Sequence, residues 1–82
     1  MVKLQVLAFA GARDVIGAAS VFVDVEDGLT VAALLAVLCD RYPGLGAYQG
    51  SIRVAVNGCY ALGDERITSG DEVALIPPVA GG

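Results

Sequence analysis

Histidine is missing from this 82-residue sequence, and lysine occurs once, at Lys3. Without histidine, no serine, threonine or cysteine has an evident base to activate it as a nucleophile. Two cysteines, Cys39 and Cys59, do not make the four-ligand set that zinc takes, nor the framework of a disulfide-stapled domain. The Lys-Ser/Thr ending of a phosphate loop is absent. The sequence holds five basic and nine acidic residues, a net charge of −4. No basic patch stands out, which disfavours nucleic-acid binding. The longest apolar run, Val31 to Cys39, is too short to span a bilayer. The first residues alternate instead of forming a signal core. The expectation is a cytoplasmic chain, away from membranes, with both cysteines reduced and serving as packing residues. The acidic neighbours Asp64-Glu65 and Asp71-Glu72 read as solvated turns.

What the sequence does have is apolar. Hydrophobic residues make up 56% and charged residues 17%, a balance that excludes disorder. The length gives one domain. A domain of this size buries only about 60% of the surface its unfolded chain exposes. Some apolar side chains must therefore stay outside, a first hint of a partner surface.

The patterning is legible along most of the chain. Val2, Leu4 and Val6 alternate with Lys3, Gln5 and Leu7, which predicts a strand with the first set facing a core. Gly11 to Asp14 reads as a turn. Val21, Val23 and Val25 alternate with Phe22, Asp24 and Glu26 and give a second strand. Thr30 is a suitable N-cap, and Val31, Leu34, Leu35, Leu38 and Tyr42 form one apolar helical stripe. Pro43-Gly44 closes that helix, and Leu45 to Ser51 reads as a connector. Ile52 to Val56 alternates as a third strand. Asn57-Gly58 predicts a two-residue hairpin, with Cys59 to Leu62 returning. Gly63 to Gly70 is rich in turns. Glu72 to Ile76 is the last strand, ended by Pro77-Pro78. One helix on one mixed sheet of about five strands is an α+β layer. The order is that of the β-grasp, or ubiquitin-like, fold. Residues 1–76 would be that domain and 77–82 an extended tail.

The tail carries the only chemistry on offer. Pro77 and Pro78 restrict φ and donate no backbone hydrogen bond. Fully stretched, Pro77 to Gly82 reaches about 20 Å, at roughly 3.3 Å per residue. Gly81 and Gly82 lack a Cβ, so their backbone can enter a narrow channel. The sequence closes on a carboxylate. A partner can activate that group with ATP as an acyl-adenylate, and sulfide attack then yields a thiocarboxylate.

The segment from Gly70 to Gly82, closing on Pro-Pro-Val-Ala-Gly-Gly, resembles the C-terminal signature of the molybdopterin synthase small subunit. Phe9-Ala10 with Arg13, Thr30-Val31, Tyr42-Pro43 and Ala55-Val56-Asn57-Gly58 agree with it. The resemblance covers essentially the whole chain. It implies that Gly82 carries the thiocarboxylate and that an ATP-dependent enzyme adenylates it. This chain itself would bind no cofactor. It further implies that Pro77, Pro78, Val79, Ala80 and Gly81 lie in a channel of the large synthase subunit, in a heterotetramer of two small and two large chains. Sulfur would pass there to cyclic pyranopterin monophosphate, building the molybdopterin dithiolene. Phe9, Tyr60 and Ile76 match the family's apolar docking patch, although Tyr60 replaces the usual aliphatic. Strand alternation independently turns Phe9 and Ile76 away from the helix. A carrier for thiamine or cysteine synthesis and a ubiquitin-like interaction or conjugation module stay open as alternatives. A free-standing enzyme is disfavoured for want of catalytic groups.

Overall fold

A computed structural model describes residues 1–48 and 50–77. Strand β1 (Val2–Ala8) pairs antiparallel with β2 (Ser20–Val25), Leu4 standing opposite Val23. The alternation resolves as expected. Leu4, Val6, Ala8, Val23 and Val25 are buried, while Phe22 is 57% exposed on the opposite face. The residues between the strands correct the expected turn: Ala10–Ile16 is a short helix, α1. Gly17 ends it in the left-handed region (φ 83°), its N–H donating to the Arg13 carbonyl at 2.8 Å, as C-terminal glycines do. Ala12 is buried, and Val15 and Ile16 pack against the core at i+3 and i+4. Two turns are too few for that period to declare itself in sequence. Gly11 lies close under Tyr48: a Cβ there would stand 2.6 Å from the Tyr48 hydroxyl, so the tyrosine ring would have to shift.

The main helix, α2 (Val31–Arg41), starts where Thr30 Oγ1 accepts a hydrogen bond from the Ala33 N–H at 3.1 Å. The N–H groups of Val31 and Ala32 donate to the carbonyls of Glu65 and Gly63, both at 2.9 Å. Donors that a helix start leaves unpaired are thereby satisfied. Val31, Leu34 and Leu38 are buried on the sheet, with Leu35 and Tyr42 at the margin. Each fully buried leucine contributes on the order of 2 kcal/mol. The connector beyond Pro43 is a 3₁₀ helix, Pro43–Tyr48, which seats Leu45 fully in the core. The segment 63–70 likewise holds a core residue, Ile67. Its N–H donates to the Leu29 carbonyl at 2.8 Å, next to the bridge between Thr30 and Arg66.

Strand β3 (Arg53–Val56) turns through Asn57 (φ 53°) and Gly58 (φ 84°) into β4 (Cys59–Tyr60). Both central residues have the positive φ that the tight hairpin turn needs. Cys39 packs against the core, as expected. Cys59 does not. It is exposed, because β4 is the outermost strand and only two residues long. The last strand, β5 (Glu72–Ile76), has the expected bounds. The sheet order is β2-β1-β5-β3-β4, with β1 and β5 parallel and the other neighbours antiparallel. This is the β-grasp arrangement, and β5 is its central strand.

Candidate functional site

Strand β5 delivers the tail. Val73 and Leu75 are buried against the core, held by Val6 and Ala8 of β1 on one side and Val56 and Val54 of β3 on the other. Pro77, the last described residue, is also buried. The root of the tail therefore sits on the central strand of the sheet, paired on both sides. Pro78, Val79, Ala80, Gly81 and Gly82, the remaining predicted tail residues, lie outside the described residues.

The outer face at that point is apolar. Pairing aligns Leu7 with Ala74, Ala74 with Ala55, and Ala55 with Tyr60. Directly opposed residues share a face, so these side chains form one row across four strands. Ile76 stands opposite Arg53 in the adjoining row. Phe9 continues β1 in extended conformation, its N–H donating to the Leu75 carbonyl at 3.3 Å. Extending the β1–β5 register by one residue puts Phe9 beside Ile76. The structure thus brings the three predicted docking residues onto one face. Phe9 is 49% exposed, Tyr60 65%, and Ile76 partly buried.

Four residues that sequence reading passed over complete this surface. Leu7, Ala55 and Ala74 fill the row between Phe9 and Tyr60. Arg53 lies with its guanidinium carbon 5.5 Å from the centroid of the Tyr60 ring, within cation–π range. Their alternation with Val54, Val73 and Leu75 was the available signal; strand order, which aligns them, was not. The face continues into a groove of about 820 Å³ between α2 and the β3–β4 hairpin. Val31, Leu35, Tyr60, Leu62, Ile76 and Pro77 are among the residues that line it. Leu62, on its wall, is 71% exposed.

The start of β5 is polar. Asn57 Oδ1 accepts from the Glu72 N–H at 3.0 Å, and Asn57 Nδ2 donates to Asp71 Oδ1 at 2.9 Å. Asp71 Oδ2 accepts from the Thr68 N–H at 2.8 Å. That backbone hydrogen bond, then the one from Asn57, holds the Asp71 carboxyl below its ordinary pKa. These bonds fasten the β3–β4 hairpin and the preceding turn to the first residue of β5. Among the described residues, no group of three or more histidine, cysteine or acidic side chains is placed to hold a metal ion. No helix among them is long and apolar enough to cross a membrane.

Comparison with known proteins gives a consistent set of relatives. The ThiS family model matches residues 6–82. The molybdopterin synthase sulfur carrier subunit of Aedes aegypti is 36% identical, covering 100% of this chain and 91% of the relative. The protein of that name from Escherichia coli is 39% identical, over 96% of this chain and 99% of its own. Among solved structures, SAMP1 of Haloferax volcanii superposes with a TM-score of 0.83 at 35% identity, covering 98% of this chain and 99% of the other.

Proposed function

The chain belongs to the ThiS family, and from that premise we propose that it is the sulfur carrier subunit of a molybdopterin synthase. The observation that carries the reading is the placement of β5. The tail is rooted in the central strand and leaves beside an exposed apolar face. Such a domain is a handle: it presents one terminal group and offers a surface by which partners grip it.

The chemistry follows from the terminal carboxylate. The Gly82 carboxylate oxygen attacks the α-phosphorus of ATP in an activating enzyme, and pyrophosphate leaves. Hydrosulfide, supplied by a sulfur donor, then attacks the acyl carbon of the adenylate; the C–O bond to AMP breaks, AMP leaves and a thiocarboxylate remains. Within the large synthase subunit its sulfur passes to cyclic pyranopterin monophosphate. A dithiolene holds two sulfurs and each carrier delivers one, so two loaded chains are consumed per product. Pro77 to Gly81 would line the channel, and the glycines admit the backbone to it. Phe9, Tyr60 and Ile76 would dock the body outside, in an assembly of two small and two large chains working in the cytoplasm. In this division residues 1–76 hold and 77–82 react. The catalytic groups, and ATP, belong to the partners.

The test is intact mass. Incubated with its cognate activating enzyme, ATP and a sulfur donor, the chain gains the mass difference between sulfur and oxygen at its C-terminus. Deleting Gly82, or adding a residue after it, abolishes sulfur transfer and leaves the unfolding midpoint unchanged. An unaltered mass, or full activity of either variant, overturns the proposal.

The likeness to SAMP1, named a small archaeal modifier protein, favours one second reading. There the activated carboxylate would be joined to amino groups of other proteins. Isopeptide-linked products on denaturing gels, in place of a thiocarboxylate, would select it.

A further inference from the structure

Among the described residues, the groove between α2 and the β3–β4 hairpin is lined by one charged side chain, Arg53. The chain has nine acidic residues against five basic, yet among the described residues no acidic one lines this groove. Arg53 thus stands among apolar walls, with Glu65 at the rim, its Oε2 accepting from the Leu62 N–H at 3.3 Å. The Arg53 guanidinium carbon lies 5.5 Å from the Tyr60 ring centroid, within cation–π range, and a guanidinium carries a fork of N–H donors that suits a carboxylate. The β3–β5 register sets Arg53 opposite Ile76, so the charge stands at the root of the tail.

We propose that this groove is a docking site for the protein that receives the tail, and that its occupant is an apolar segment of that partner bearing a carboxylate. The identity of the partner, the large synthase subunit, rests on the sulfur-carrier reading; the chemistry of the occupant rests on the groove. Ile76 and Pro77 line the groove, so a protein that encloses the tail from its root also covers the groove mouth. Covering Arg53 with apolar surface alone would strip water from a charge without replacement, which is strongly unfavourable. A carboxylate removes that penalty through a charge-assisted, two-pronged hydrogen bond. Exposed Tyr60 and Leu62 at the rim supply the apolar contact around it.

The experiment is titration calorimetry of the full chain against the large subunit encoded by the same genome, at low and high salt. Arg53→Glu weakens binding roughly tenfold or more at low salt, and Arg53→Gln by less. Arg53→Lys keeps the charge but not the two-pronged hydrogen bond, and binds between wild type and Arg53→Gln. Leu62→Ser weakens binding about fivefold. The gap between wild type and Arg53→Gln narrows as salt rises. Thermal midpoints of these variants stay near wild type, since both side chains are exposed. Wild-type affinity in both Arg53→Glu and Leu62→Ser overturns the inference and leaves the sulfur-carrier reading intact. An Arg53→Lys chain that binds as weakly as Arg53→Glu also overturns it, because charge would then not be the recognised property. A dimer of this chain that Leu62→Ser breaks, with partner affinity unchanged, assigns the groove to a second copy instead. No binding by the wild type sinks both readings together.

Discussion

The two ends of strand β5 are built from opposite materials. At its start, Asn57, Thr68 and Asp71 tie three backbone segments together through hydrogen bonds of 2.8–3.0 Å. At its finish the neighbours are Phe9, Ile76, Tyr60 and Pro77, apolar and in part exposed. The first end is saturated within the chain. The second leaves apolar surface exposed at Phe9 and Tyr60. Polar closure serves stability, and unsatisfied apolar surface is kept for another molecule.

If that contrast holds, changes at the finish alter association and spare the fold. The largest expected effect is that of Phe9→Asp, a charge set beside Ile76 on the docking face. We expect affinity for the large subunit to fall about thirtyfold or more, in the range of a buried aromatic hot spot. The urea midpoint stays within error of wild type. A large loss of stability with unchanged binding would reverse the assignment of this end.

Changes at the start do the opposite. Asn57→Ala removes two side-chain hydrogen bonds and places alanine at φ 53°. A loss of about 2 kcal/mol in unfolding free energy follows, read by urea denaturation, with sulfur transfer under stabilising conditions unchanged. An Asn57→Ala chain as stable as wild type would show that the clamp is ornamental.

The smallest effect is a pH dependence. The Asp71 carboxyl is held below its ordinary value by hydrogen bonds present only in the folded chain. Its contribution is therefore present above the unfolded pKa of about 4 and lost as pH falls through the lower folded value. Denaturation of wild type and Asp71→Ala at a series of pH values should show a gap near neutrality that closes in acid. A gap that persists or widens below pH 4 contradicts the sign.

Much of this contrast was legible residue by residue. The bounds of β5, the Thr30 cap and the Asn57-Gly58 turn each follow from a local rule, and each stands where the rule puts it. The placement of Phe9 and Ile76 on the face away from the helix followed from alternation alone. The failures share a cause. Helix α1 is two turns long; Leu45 and Ile67 are single core residues inside stretches rich in glycine and turn formers. A single buried side chain has no period, so its burial is decided by the cavity it finds. Arg53 and Leu62 were silent for a related reason: nothing near them in sequence marks them as neighbours of the tail.

The sequence by itself determined the alternation, the caps, the tight turn and the proline stop before Gly81-Gly82, because those depend on φ/ψ preference and on contacts within a few residues. Only the tertiary structure decided that β5 is central, that Phe9 from one end of the chain lies beside Ile76 from the other, and that Arg53 rests on Tyr60 over an apolar groove. Those placements come from pairing between distant segments, chosen by the free energy of burying the whole sheet under α2, and no local pattern encodes them.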